Sequence, residues 1–295
     1  MTCLQGKNVA VFGATGTQGA PVAERLMRRE VKIRPIVRSA DKAMSLAARG
    51  ADVTTANLTD AAAVAKACEG VDAAFLMFSA SVPDAEWLQH ARNALRALRE
   101  ARVDRIVVTT STVVPSARVG LSRPDAKVEL LEPVRELTPN ATVLSPTFFL
   151  ENFSTALRSA VLAGAIPQAL PEDVEVRYLS LDDQAAFVVE ALDRPELAGR
   201  YLRIGGAEAL TGTALAARFA DALGRVVSYR AIPVEAFRVQ LVPTLGETVT
   251  DSLTGMLSFA GGAGATLLSP DLAPTLSALP VTTDSVVAWA TRAFR

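Results

Sequence analysis

Along the first half of the chain, apolar residues fall in short unbroken runs at 9–12, 33–37, 53–56, 73–77, 106–108 and 143–144. Runs of Val, Ile, Ala and Phe without polar alternation suit parallel strands covered on both faces. Helical patterns stand between them at 21–29, 42–49, 61–68, 84–101 and 127–137. The fourth is the clearest. Trp87, Leu88, Ala91, Ala94, Leu95 and Leu98 recur at three- and four-residue spacing, with Arg92, Arg96, Arg99 and Glu100 off that stripe. Such alternation predicts an α/β, Rossmann-type doubly wound parallel sheet.

After Ser145 the rhythm changes. Pro146 ends the sixth strand region, and 148–163 reads as one helix. Further strands are expected at 175–179, 201–204 and 226–229, and helices at 182–192, 213–223 and 284–294. Thr282, Thr283 and Asp284 offer cap oxygens to the last helix. The Asp182–Asp183 pair also reads as a cap rather than as paired catalytic carboxylates. The division expected is a dinucleotide-binding domain over residues 1–150 and a smaller substrate-binding α/β lobe over 151–295, packed on it without a flexible tether.

The glycines decide what the first domain does. Residues 9–19 read VAVFGATGTQG, placing Gly13, Gly16 and Gly19 at three-residue spacing between a buried strand and a helix. A tight turn there brings bare backbone N–H groups and a helix N-terminus against a pyrophosphate, where a side chain would block the approach. The bland alternative is a strand-to-helix turn with glycines for packing. The second strand ends IRPIVRS, so Arg38, with Lys42 one turn later, stands where NAD sites usually carry an acid. A guanidinium can grip a 2′-phosphate in bidentate fashion, and NADP(H) is therefore the expected cofactor.

Composition narrows the rest. The chain has 295 residues, 50% of them hydrophobic, and a formal net charge of −1. That suits a large folded core and leaves no basic footprint for nucleic acid. With 5% aromatic residues a base-stacking surface is not expected either. Cys3 and Cys68 read as free thiols suited to a reducing cytosol, so a cytoplasmic location is expected. The longest uncharged stretch, 252–270, is rich in Gly, Ser and Thr and reads as helix, loop and turn rather than a membrane span. A single histidine, His90, argues against His-based metal sites and Ser-His-Asp catalysis. On an arginine-rich helix it is expected at the surface, and Cys68 is expected as buried packing.

GATGTQG, Arg38, ANLTD at 56–60, GVDAAFLMFS at 70–79, SPTFFLENF at 145–153 and the ending VTTDSVVAWA together resemble the NmrA-like branch of the atypical short-chain dehydrogenase/reductases. The resemblance implies that Thr15, Thr17 and Gln18 join the glycines at the pyrophosphate. It places Asn57 and Leu58 beside the adenine, Asn57 standing where the family often has Asp. Phe78 and Ser79 would line the nicotinamide ribose, with Thr110 or Ser111 closing the fifth strand. Pro146, Thr147 and Phe148 would sit by the nicotinamide, and Phe149 and Asn152 would point toward substrate. Lys127 matches the family lysine, either as a proton donor or as a holder of the cofactor ribose; a solvent-facing lysine paired with Asp125 or Glu129 is the plain alternative. The polar neighbours Arg123, Asp125 and Glu129 suggest a solvated setting and favour the ribose-holding role.

One departure bears on the chemistry. Short-chain dehydrogenases use Tyr-x-x-x-Lys, whereas Arg123 stands four residues before Lys127 and no tyrosine precedes Tyr178. The expected function is NADPH-dependent reduction of a small conjugated or aromatic acceptor such as a quinone, enone or dye. The alternatives are a non-catalytic NADP(H) sensor, or a lyase, cyclase or isomerase reusing the fold. The expected partner is a small-molecule substrate, with neither nucleic acid nor membrane, and a homodimer is the assembly considered.

Overall fold

In this computed structural model, which describes residues 3–79 and 82–295, the apolar runs form strands at the expected places. The described strands are β1 (Asn8–Phe12), β2 (Lys32–Val37), β3 (Thr54–Thr55), β4 (Ala73–Leu76), β5 (Arg105–Thr109), β6 (Ala141–Pro146), β7 (Ala165–Gln168), β8 (Tyr201–Ile204) and β9 (Ser228–Ala231). Seven of them make one parallel sheet in the order β3-β2-β1-β4-β5-β6-β8, and β7 pairs with β9 in a second, two-stranded sheet. The chain winds outward from β1 in one direction and from β4 in the other. A crevice therefore opens between the carboxyl ends of these two strands, where doubly wound sheets bind ligands.

The helices are α1 (Gly19–Arg28), α2 (Met44–Ala47), α3 (Ala61–Ala67), α4 (Asp84–Glu100), α5 (Ser122–Leu137), α6 (Glu151–Ser154), α7 (Arg158–Leu162), α8 (Leu181–Leu192), α9 (Gly212–Leu223), α10 (Val234–Leu245), α11 (Glu247–Ala260), α12 (Ala273–Ala278) and α13 (Val286–Ala293). Strand side chains alternate between two cores, as the pleat requires. Ala10, Phe12, Ala74, Leu76, Ile106 and Val108 pack with α3, α4 and α5. Val9, Val11, Phe75, Val107 and Leu144 pack with α1 and α8 on the opposite face. Both faces are covered, which explains why the strand runs show no polar alternation. A third core, around Phe153, Phe219, Phe237 and Trp289, gathers β7, β9 and the later helices.

The second half departs from the sequence reading in several places. β8 is not part of a separate lobe: it extends the main sheet beside β6, and α8 covers that sheet's face, so the sheet is not contained in residues 1–150. The helix expected at 148–163 is broken. Phe149 instead forms an isolated bridge with Leu179, which donates to the Phe148 carbonyl at 2.9 Å while Leu150, already turning into α6, donates back at 3.0 Å. Only α6 and α7 remain helical, separated at Thr155 with φ −111° and ψ −95°. The strand expected at 175–179 is reduced to two isolated bridges. α5 starts at Ser122, not 127, so Lys127 lies inside the helix instead of opening it. The cap of α13 is Ser285, whose hydroxyl accepts from Ala288 N at 3.2 Å, and not Thr282, Thr283 or Asp284. At α8, Ser180 is the cap residue. Asp183 completes it by accepting from the Ser180 hydroxyl at 2.7 Å and from Asp284 N at 3.1 Å.

Candidate active site

The glycine loop after β1 shows why small residues stand there. Gly13 adopts φ +69°, a left-handed backbone that disfavours side chains, and a Cβ on it would lie 2.7 Å from Met77 Sδ. A Cβ on Gly19 would come within 2.2 Å of the Gly13 carbonyl, so this glycine lets α1 close against the strand. Gly16 is bound into the turn by donating to Gly13 O at 2.8 Å. No side chain caps the start of α1; Ala20 N donates to Gly16 O at 2.9 Å and Pro21 has no N–H, so Gly19 N–H is the donor that the first turn offers to an anion.

Around this loop lies a cleft of about 710 Å³. Its walls include Gly13, Thr15, Gly16, Thr17 and Gln18 from the loop, Arg38 from the end of β2, Asn57 and Leu58 after β3, and Phe78 and Ser79 after β4. Ten of the expected cofactor residues are thus brought together from four separate segments. Gln18 Oε1 is buried there without a hydrogen-bond partner among the described residues. A phosphorylated dinucleotide fits this donor set: a backbone cradle for a pyrophosphate, an arginine at the ribose end, and no acid among the residues that line the cleft at the end of β2. Lys42 does not join the cleft wall; it is exposed on the turn after Arg38. Gly19 lies beneath the loop as a packing residue.

The other expected residues stand behind or beside this cleft. Lys127 is 4% exposed, which overturns the solvated setting. Its ammonium donates to the Thr110 carbonyl and lies 5.9 Å from the Trp87 ring centre. Asp125 does not answer it directly: its carboxylate accepts from Val119 N at 2.6 Å and Gly120 N at 3.1 Å, while Glu129 pairs with Arg118 at 3.0 Å. Arg123, in the place of the family tyrosine, is also buried. It donates to the Val82 carbonyl at 2.7 Å and stacks 5.3 Å from the Trp87 ring centre. The pair Arg123 and Lys127 therefore grips Trp87 and the ends of two loops. Thr110 directly follows β5, and Ser111 after it takes φ +63°, a conformation that costs a non-glycine residue energy and often sits beside functional sites. Thr147 donates from its backbone to Ile204 O at 3.0 Å and from its hydroxyl to Arg177 O. Neither Pro146 nor Thr147 lines the cleft.

Phe148, Phe149 and Asn152 line a second, mostly apolar pocket of about 20 Å³ with Tyr178, Phe237 and Leu241. Leu245, at the end of α10, borders both pockets. Burial pushes the Tyr178 hydroxyl well above the usual phenol range, so it stays protonated. Close by, Glu151 accepts from Leu181 N and Trp289 Nε1, both at 3.1 Å. Desolvation raises its carboxyl pKa, partly offset by these bonds.

Sequence reasoning missed the walls supplied by α4 and by the α10–α11 turn. Glu86, Trp87 and His90 line the cleft from α4, and Thr244, Leu245 and Val249 from the turn. Trp87 carries the apolar stripe of α4 and so reads as core. His90 is not a surface residue: it is 9% exposed, and its Nε2 is buried without a hydrogen-bond partner among the described residues. The α10–α11 residues carry no local motif at all. Cys68 is fully buried, as expected, and burial lifts its thiol to about 12. Among the described residues no group of three or more His, Cys, Asp and Glu is placed to hold a metal, and no helix is long and apolar enough to cross a membrane.

The profile of the NmrA-like family matches residues 5–286. Quinone oxidoreductase 2 of Escherichia coli is 30% identical over 252 residues, covering 85% of each chain. The NAD(P)H azoreductase of Xenophilus azovorans is 29% identical over 255 residues, 85% of this chain and 87% of its own. In three dimensions the chain superposes on an NADPH-dependent quinone oxidoreductase of Escherichia coli complexed with NADPH. The TM-score is 0.79 at 26% identity, over 97% of this chain and 100% of that one.

Proposed function

Because this chain belongs to the NmrA-like family, we propose that it is an NADPH-dependent reductase of a small conjugated or aromatic acceptor, a quinone, enone or azo-type dye. The observation that carries the reading is the cleft itself. It joins a glycine cradle to Arg38, in a chain related over most of its length to oxidoreductases acting on such acceptors. When bound, NADPH supplies the hydride, so the protein's task is to bind, orient and exclude water.

The loop N–H groups and the start of α1 hold the pyrophosphate. Arg38, Asn57 and Leu58 line the cleft; Arg38 would pair with the 2′-phosphate, and Asn57 and Leu58 would flank the purine. Lys127 acts through what it holds. By fixing the Thr110 carbonyl and the Trp87 ring it sets the shape of the wall where β4 and β5 end. We assign it a positioning role in place of proton donation, since its ammonium does not line the cleft. Phe149 and Asn152 belong to the acceptor side. There Asn152, Gln168 and the protonated Tyr178 are the polar groups that can meet a carbonyl or azo nitrogen within an apolar wall. At about 20 Å³ that pocket has room for little more than a water, so an acceptor needs its walls to move apart. A cytoplasmic location suits the two free cysteines.

NADPH oxidation followed by absorbance, with quinones, enones and azo dyes offered in turn, tests the reading. Turnover with at least one class is expected. Tight NADPH binding with no turnover across the panel would replace the reductase with the sensor, which the missing Tyr-x-x-x-Lys also allows.

A further inference from the structure

α4 lies along the cleft between α3 and α5. Its first turns reach toward the β5 side, where Trp87 meets Arg123 and Lys127. One turn further on, Asn93 donates to the Leu58 carbonyl at 2.7 Å and is itself held by Gln89 at 2.8 Å. The middle of α4 is thereby fastened to the segment that follows β3. His90 stands between these two attachments and lines the cleft. In the sheet order β3-β2-β1-β4-β5, the Arg38 and Asn57–Leu58 walls lie on one side of the glycine loop and the β5 end on the other. A dinucleotide whose pyrophosphate rests on the loop and whose 2′-phosphate meets Arg38 must place its purine on the His90 side.

The imidazole is chemically incomplete as it stands. His90 is 9% exposed, and its Nε2 is buried without a partner among the described residues. A buried polar atom left unpaired costs free energy, and native proteins keep few of them. A neutral imidazole offers one donor and one acceptor nitrogen, and an adenine edge carries both kinds of partner. We propose that His90 is the hydrogen-bonding contact to the adenine base of NADP(H), a specificity residue carried on α4; this rests on the cleft being the dinucleotide site.

The test separates a ligand contact from a packing role by reading affinity and stability together. Calorimetric titration of NADPH and of 2′,5′-ADP, which keeps the adenosine half alone, is compared in the wild type, His90→Leu and His90→Gln. In His90→Leu both ligands should bind about tenfold more weakly, and the melting temperature of the ligand-free protein should hold or rise, because the variant removes an unsatisfied polar atom. His90→Gln, which restores a hydrogen-bonding group, should recover most of the affinity. Unchanged affinities overturn the proposal. A loss with NADPH but not with 2′,5′-ADP overturns it as well, by placing the imidazole at the nicotinamide end. So does a loss of affinity in both variants accompanied by a lower melting temperature, the signature of packing. If the wild type binds neither ligand, it is the dinucleotide site that fails, a different result from any of these.

Discussion

At the scale of single residues, charge and the lack of a side chain carry most of the argument. Arg38 is the group on which the proposed cofactor choice turns, because a guanidinium at the end of β2 attracts a 2′-phosphate and a carboxylate there repels it. NADPH is expected to bind more tightly than NADH by ~1–3 kcal/mol, and Arg38→Asp to reverse the order. Calorimetry on both cofactors at one salt concentration checks this, and equal affinities in the wild type would remove Arg38 from the site. Lys42, nearby in sequence, is turned away by the short helical turn it occupies, so of these two cations only Arg38 lines the cleft. Gly13, Gly16 and Arg38 are legible in the sequence because their chemistry is local: it depends on a strand, a turn and a helix start. His90 is not legible, since whether an imidazole on an arginine-bearing helix faces water or a cleft depends on what packs beside it.

At the scale of elements, the junction where β6 leaves the sheet holds the two halves together. Glu151 at the head of α6 accepts from Leu181 N at the start of α8 and from Trp289 of α13. Desolvation raises its carboxyl pKa above the usual range. A carboxyl whose folded pKa is raised contributes stability that is fully present below its unfolded pKa. That contribution is lost as pH rises through the folded value, because ionisation then occurs in a poorly solvated place. Glu151→Gln keeps an acceptor oxygen for both donors but cannot ionise. The stability of the variant relative to wild type should therefore increase as pH goes from about 4 to 7.5. Urea unfolding of both proteins at these two pH values measures it; a difference independent of pH would show that the carboxyl does not feel its burial. Asp183, whose carboxyl is raised by desolvation too, is present in both proteins and cancels in the comparison. The same junction explains the failed helix at 148–163. The apolar periodicity is real, but the Phe148 carbonyl and the Leu150 N–H are taken by Leu179, a partner from a distant part of the chain.

At the scale of the whole molecule, the sheet crosses the boundary that the change of rhythm at 150 suggests. β8 supplies the seventh strand and α8 covers one face, where Phe75, Val107 and Leu144 are buried. A fragment of residues 1–150 is expected to lack a cooperative thermal transition and to aggregate, because it bares both that face and the edge of β6. Circular dichroism during heating decides this, and a sharp transition would mean that the first 150 residues form a domain of their own. The sequence by itself determined the parallel strands, the glycine turn after β1, an arginine in place of an acid at the end of β2 and the kinship with the NmrA-like family, because these are written in short segments whose local chemistry permits few alternatives. Tertiary structure alone decided that Lys127 is buried behind the wall, that α4 turns His90 into the cleft and that Leu245 stands between the two pockets. It also assigned β8 to the sheet. Burial and adjacency are properties of elements brought together from distant parts of the chain, and no local pattern of residues records which surfaces will meet.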